Sequence, residues 1–187
     1  MKRMALLFLI IGIVSLGLSA YFFAKKDQVA PVSIDQQKQK GNDFEDYMIQ
    51  LLGKQSQIQF VGKVSDYHKN GVSALENYEP DLKFKYNTIP FAVECKWRNS
   101  FKNGKTKWAE SRQINNYVTY QNTKNEKVYV ALGIGGTPNA PETLYLIPLF
   151  RLKLEFVTAD YIKEFEIKDS SSLMAIIKSG TNRSNSR

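Results

Sequence analysis

With 187 residues, 43% of them hydrophobic and 24% charged, the chain has the size and composition of one globular domain with a packed core. Lysine and arginine outnumber aspartate and glutamate by 26 to 18, an excess that suits a polyanionic partner, although it can equally serve solubility. A single cysteine, Cys95, excludes an intramolecular disulfide, and a single histidine, His68, excludes a histidine-pair metal site. Hydrolytic chemistry in this chain must therefore use carboxylates, lysine, tyrosine or serine.

The first predicted element is an apolar helix at residues 4–24, which contains 21 residues and no charged side chain. A helix of this length rises about 30 Å, the thickness of the hydrocarbon core of a bilayer. The pattern predicts a single-pass anchor over residues 1–24; the alternative is a cleaved signal peptide, for which the apolar run is long and the cleavage site poor. Basic residues flank both ends, so their count does not decide the orientation. Residues 25–41 are polar and predict a tether.

Beyond the tether, residues 42–180 are predicted to form one domain, and residues 181–187 have the composition of a disordered tail. Hydrophobic spacing predicts a helix from about Asn42 to Gly53, strands at 57–64, 80–86 and 91–97, a helix at 108–121, strands at 128–134 and 143–149, and a short helix at 159–165. Strands mixed with helices in this order predict an α/β fold around a mixed central sheet. His68 falls in a turn-rich loop and is given no role.

Residues 79–97, which read EPDLKFKYNTIPFAVECKW, carry the candidate chemistry. Side chains alternate along a strand, so Glu94 and Lys96 share one face, and Asp81 can approach Glu94 if its strand pairs as a hairpin. Two carboxylates beside a lysine can form a metal-assisted hydrolytic site, because carboxylate oxygens suit Mg²⁺. Lys96 would then orient or help to deprotonate a bound water, or it could simply be a charge partner for Glu94.

The motif order Pro80-Asp81, twelve intervening residues and Glu94-Cys95-Lys96 resembles the PD-(D/E)xK nuclease superfamily, which includes restriction-type endonucleases, Holliday junction resolvases and repair nucleases. Gln113 and Tyr117, four residues apart on one predicted helix, are similar to the QxxxY element of its Mrr/RecB-like branch. The resemblance covers about residues 42–149. It implies a restriction-endonuclease-like αβββαβ core and phosphodiester cleavage that depends on Mg²⁺ or Mn²⁺.

The same resemblance implies roles for individual residues. Asp81 and Glu94 would be metal ligands, and Glu45, on the first helix, would be a candidate third, although Asn42-x-x-Glu45 also matches a capping box. Lys96 would assist the nucleophile. Gln113 and Tyr117 would support the site or contact the substrate, or they could be ordinary surface and core residues of their helix. Cys95 is expected to be a small core residue.

A basic loop follows the E-x-K strand and suggests a nucleic-acid contact. Its lysines could contact phosphates while its aromatic residues pack on sugars or bases, and the alternative is an exposed hairpin tip with solubility lysines. The candidate contacts are Arg98, Lys102, Lys105, Lys107 and Trp108.

The function expected from these observations is that of a membrane-anchored, metal-dependent endonuclease that hydrolyses DNA rather than RNA. Its soluble domain would lie on the cytoplasmic side if the substrate is DNA, and residues 4–24 would contact the lipid bilayer. Two alternatives remain open at this point: a catalytically inactive nuclease-fold module that binds nucleic acid, and a membrane-tethered extracytoplasmic interaction domain.

Overall fold

A computed structural model describes residues 34–64 and 79–182 of the chain. The predicted anchor at 4–24, the first part of the predicted tether, the loop with His68 and the residues after 182 lie outside the described residues. The described residues from Gln37 onwards belong to one compact unit, which contains every element below apart from the start of the first helix.

Four helices and seven strands make up the described fold. The helices are α1 (Ile34–Gly53), α2 (Ser111–Lys124), α3 (Ala159–Ile162) and α4 (Ser170–Asn182). The strands are β1 (Ile58–Lys63), β2 (Leu82–Tyr86), β3 (Ile89–Arg98), β4 (Lys105–Lys107), β5 (Lys127–Ile134), β6 (Thr143–Pro148) and β7 (Phe156–Thr158). Short 3-10 helices span Leu149–Arg151 and Lys163–Phe165.

Five of the strands form a mixed sheet in the order β1-β2-β3-β5-β6, and β4 and β7 form a separate two-stranded sheet. The pair β3–β5 is parallel, whereas β1–β2, β2–β3 and β5–β6 are antiparallel. The parallel pair needs a long crossover, and α2 lies within it. The predicted α/β class and its mixed central sheet are therefore confirmed.

The central strands are buried because helices cover both faces of the sheet. On one face, α1 buries Phe44, Met48 and Leu52, which recur at every fourth position of the helix. The Phe44 ring fits against Gly133 of β5, where an added Cβ would lie only 2.7 Å from a ring carbon. On the other face, α2 brings Tyr117 against β3. The face under α2 is the one that carries the candidate chemistry.

Several predicted element boundaries are corrected by the structure. Helix α1 begins at Ile34 rather than near Asn42, so residues 34–41, which were expected in the tether, are helical. Helix α2 begins at Ser111 rather than at Trp108 and ends where Asn125 takes a left-handed conformation (φ 53°). The predicted hairpin tip after β3 is present as a tight turn with positive φ at Asn103 and Gly104.

The expected single-pass membrane localisation is also corrected. Over residues 34–64 and 79–182, no helix is both long and apolar enough to cross a membrane. The longest, α1, has 20 residues, but acidic and basic side chains recur along it, and charged groups are costly in hydrocarbon. The apolar run at 4–24 itself lies outside the described residues.

Candidate active site

The pairing of β2 with β3 brings Asp81 beside Glu94. Leu82 is the partner of Val93 in this antiparallel pair, so the next position along places the two acidic residues opposite each other. The backbone N–H of Cys95 donates a hydrogen bond to Asp81 Oδ2 at 2.8 Å. The orientation of the Asp81 carboxylate is thus set by the backbone of the E-x-K strand.

Glu94 is a buried carboxylate, only 2% exposed, and it is held by two donors. The Tyr117 hydroxyl donates to Glu94 Oε1 at 2.6 Å, and the Lys96 ammonium forms an ion pair with the same oxygen. A buried charge is costly unless it is paired and hydrogen-bonded. Tyr117 and Lys96 therefore stabilise the negative charge of Glu94 at its buried position in this central strand.

The electrostatics of the cluster indicate an excess of negative charge. Burial raises the pKa of Asp81 well above its usual range, and the Glu94 and Glu45 carboxylates raise it further, against the lowering effect of Lys96. Burial by itself lowers the pKa of Lys96, but Glu94 and Asp81 more than offset this, so its pKa stands above the ordinary value. Lys96 is therefore a charged donor in this arrangement, suited to stabilising negative charge rather than accepting a proton.

The donor set fits a divalent cation in part. Mg²⁺ commonly binds through one or two carboxylates and completes its coordination with water and substrate phosphate. Asp81 Oδ1 and Glu94 Oε2 accept no hydrogen bond from the residues that the structure describes, so one oxygen of each carboxylate is left to coordinate. Within those same residues, no group of three or more His, Cys, Asp or Glu side chains is close enough to hold a metal ion. The expected three-carboxylate set is therefore not assembled.

Glu45 lies in the interior of α1 rather than at its start. The helix begins eleven residues earlier, so the alternative of a capping box with Asn42 is wrong. The Glu45 carboxylate pairs with Lys63 of β1 at 2.8 Å, and Lys63 also approaches Asp46 at 3.5 Å. Glu45 acts on Asp81 through its charge, but its carboxylate is directed to a different cation.

The two members of the QxxxY element have different environments. Tyr117 is buried, contacts Glu94 and packs near Trp108, with ring centroids 6.4 Å apart. The Gln113 side chain instead accepts a hydrogen bond from the Glu110 N–H at 3.1 Å and so caps the start of α2. The structure brings Tyr117 to the carboxylates and leaves Gln113 at the end of the helix.

Two of the five candidate nucleic-acid contacts, Trp108 and Arg98, make contacts within the protein instead. Trp108 is 0% exposed, and its indole N–H donates to the Leu154 carbonyl at 2.7 Å, so it is a core residue. The Arg98 guanidinium donates to three backbone carbonyls, those of Lys107 at 2.8 Å, Trp97 at 2.9 Å and Trp108 at 3.2 Å. Arg98 therefore holds the loop to the end of β3.

The three lysines of the loop remain on the surface, in two different situations. The Lys107 ammonium is paired with Glu110 at 3.0 Å and with Glu155 at 3.1 Å. Lys102 and Lys105 are exposed on either side of the Asn103–Gly104 turn. These two are the loop residues best placed to meet a polyanion.

Lys83 lies on the same face as Asp81 and makes a contact with α2 that was not predicted from the sequence. The Lys83 ammonium lies 3.7 Å from the centroid of the Tyr120 ring and pairs with Glu79 at 3.2 Å. Burial lowers the pKa of Lys83, against the raising effect of Glu79. The alternation of residues 81, 83 and 85, along β2 and the residue before it, was the signal that could have identified this second contact with α2.

Comparison with known proteins yields one kind of match. No protein-family model matches the chain, and no curated protein sequence matches it. Among solved structures, the chain is similar to a Holliday junction resolvase from the archaeal hyperthermophile Archaeoglobus fulgidus, with a TM-score of 0.52 and 17% identity over 71% of this chain and 93% of the resolvase. At that identity the likeness shows the fold alone. The chain therefore has a mixed α/β fold similar to that of this resolvase, in agreement with the restriction-endonuclease-like core expected from its motifs.

Proposed function

We propose that this chain is a metal-dependent nuclease that hydrolyses phosphodiester bonds of DNA. The observation that carries the proposal is the convergence of Asp81, Glu94 and Lys96 under α2. The fold similarity to an enzyme named as a Holliday junction resolvase supports a nuclease and favours DNA over RNA. Membership of the Mrr/RecB-like branch is part of the proposal and is supported by the contact of Tyr117 with Glu94.

Asp81 and Glu94 are the residues that would hold the cation, Mg²⁺ or Mn²⁺. When bound, such an ion lowers the pKa of water and offsets negative charge on a phosphate. The Cys95 N–H and the Tyr117 hydroxyl orient the two carboxylates. The Lys96 ammonium donates to oxygens on which negative charge develops, an effect that is strong where water is partly excluded.

The test is cleavage of labelled DNA by the full-length chain in Mg²⁺, in Mn²⁺ and in a chelator. Asp81→Asn and Lys96→Met should each lower the metal-dependent rate by roughly a hundredfold or more, as loss of a charge-stabilising group does in other enzymes. Matched controls are Asp46→Asn and Lys85→Met, which remove the same charges from exposed positions and should leave the rate unchanged.

Absence of cleavage by the wild-type chain in both metals, on duplex, single-stranded and branched DNA, would contradict the proposal. Equal loss in the control variants would show that surface charge, rather than the three clustered residues, supports the activity. Circular dichroism of every variant checks that a lost rate does not reflect a lost fold.

One observation favours a second candidate, a nuclease-fold module that binds DNA without cleaving it. Tyr117 and Lys96 already hold Glu94 through one of its oxygens, so this carboxylate has partners in the buried strand without a cation. This candidate predicts DNA binding that weakens steeply with salt, together with no cleavage in any divalent metal.

A further inference from the structure

The small sheet formed by β4 and β7, together with the residues just before β7, presents large apolar side chains to solvent. Leu154 is 74% exposed and Phe156 is 48% exposed, although both belong to residue types that are usually buried. The Lys105 ammonium lies 5.3 Å from the centroid of the Phe156 ring, and that of Lys107 lies 5.9 Å from it. An exposed aromatic ring flanked by cations is thus built from two separate parts of the chain.

The backbone that presents these side chains is firmly held. The Trp108 N–H donates to the Glu155 carbonyl at 2.9 Å, and the Trp108 indole donates to the Leu154 carbonyl at 2.7 Å. The Glu155 carboxylate accepts from the Ser111 N–H at 2.8 Å. Because the backbone is anchored on a buried tryptophan, little backbone conformational entropy is lost when Leu154 and Phe156 contact a partner.

The charge beside the exposed ring is mixed, because Lys107 is paired with Glu110 and Glu155, but exposed lysines without an acidic partner lie at the ring or close to it in sequence. Lys102, Lys105 and Lys153 are all exposed, and no acidic side chain in the described part of the chain pairs with any of them. A second copy of this chain would bring the same cations against one another, whereas phosphates would be attracted to them. Proteins that bind single-stranded nucleic acid combine cations, which contact phosphates, with aromatic side chains. Unpaired bases stack on these aromatic side chains because every base has a π-face.

The small sheet is also tied directly to the candidate active site. Arg98, two residues beyond Lys96 on β3, donates to the carbonyls of Lys107 and Trp108. Trp108 in turn packs near Tyr117, whose hydroxyl holds Glu94. A DNA strand bound to the small sheet would therefore contact an element that is connected to Tyr117, the residue that orients the Glu94 carboxylate.

We propose that Lys105, Leu154 and Phe156, together with Lys102 and Lys153 close to them in sequence, form a base-stacking platform that binds an unpaired segment of DNA. Phe156 and Leu154 contact the base faces, and the lysines contact the phosphates. This inference rests on the proposed nuclease function and adds a substrate class, namely DNA that contains unpaired bases.

The experiment measures binding of a fluorescein-labelled single-stranded 20-mer, and of its duplex, to the full-length chain by fluorescence anisotropy in a chelator. Phe156→Ala should weaken binding of the single strand by about 5- to 150-fold and change duplex binding little, since stacking is lost and phosphate contacts remain. Phe156→Tyr keeps the ring and should retain wild-type affinity. Phe60→Ala, at a 38% exposed ring on β1 of the large sheet, is the control and should also bind normally.

Unchanged single-strand affinity in Phe156→Ala would overturn the proposal, as would an equal loss on duplex DNA. A change in sedimentation with no change in DNA affinity would identify the surface as a contact between copies of the chain and would overturn it as well. Because binding is measured without metal, its outcome is separate from that of the cleavage assay. Cleavage by the wild type together with normal binding by Phe156→Ala would refute only the platform. Weaker binding by Phe156→Ala without any cleavage would refute only the nuclease function.

Discussion

The hydroxyl of Tyr117 is a single group whose removal tests the organisation of the candidate site. Tyr117→Phe deletes the donor to Glu94 Oε1 and leaves the ring against Trp108. Hydrogen bonds to charged groups contribute roughly 1.5–3 kcal/mol, and the Lys96 ammonium stays on the same oxygen, so the lower part of this range applies. We expect a loss of about 1.5–2 kcal/mol in the free energy of unfolding, which corresponds to a melting temperature lower by roughly 3–8 °C for a domain of this size.

The assay is urea denaturation at neutral pH, followed by the cleavage assay on the same samples. Tyr120→Phe is the matched control, because its hydroxyl donates to Glu126 in a more solvent-accessible position one turn along α2. It should lose no more than about 1 kcal/mol and keep its cleavage rate. If Tyr117→Phe were as stable as the wild type, or more stable, the argument that the buried Glu94 carboxylate depends on this donor would be refuted.

Three further predictions concern the framework of the site. Arg98→Lys should destabilise the chain by about 2 kcal/mol in urea denaturation, because an ammonium cannot bond all three carbonyls that the planar guanidinium reaches; retention of wild-type stability would contradict this. Gly133→Ala should cost about 1–3 kcal/mol through collision with a buried ring of α1, whereas Gly41→Ala, with open space around it, should stabilise α1 by about 0.5–1 kcal/mol. Hydrogen bonds from Ser111, and then from Lys107, lower the pKa of Glu155 to about 2. The stabilisation from Glu155 should therefore be present above the ordinary carboxyl pKa of 4.5 and disappear as the pH falls towards 2, and Glu155→Gln should flatten the stability–pH curve in that window.

The sequence by itself determined the elements of the sheet and the acidic face of its central hairpin. Alternation of polar and apolar residues predicted that Glu94 and Lys96 share one face of β3, because the two-residue period of a strand is a local property of the backbone. The approach of Asp81 to Glu94 was expected only if the two strands pair, and the pairing of β2 with β3 provides it. The predicted strand at 128–134 is present as β5, and it is buried on both faces, as is typical of a continuous apolar run.

Only the tertiary structure decided which side chains reach the cluster. Tyr117 and Gln113 share one face of α2, yet only Tyr117 reaches Glu94, because the start of the helix engages Gln113 in its own cap. The same holds for the basic loop, where a run of basic and aromatic residues suggested five candidate contacts with nucleic acid. In the structure Trp108 is buried and Arg98 donates to backbone carbonyls. The pairing of β4 with β7 brings Phe156, from a distant segment, beside Lys105 and Lys107. Local pattern fixes the side of an element on which a residue lies, but contacts between elements distant in sequence depend on packing that no local period encodes.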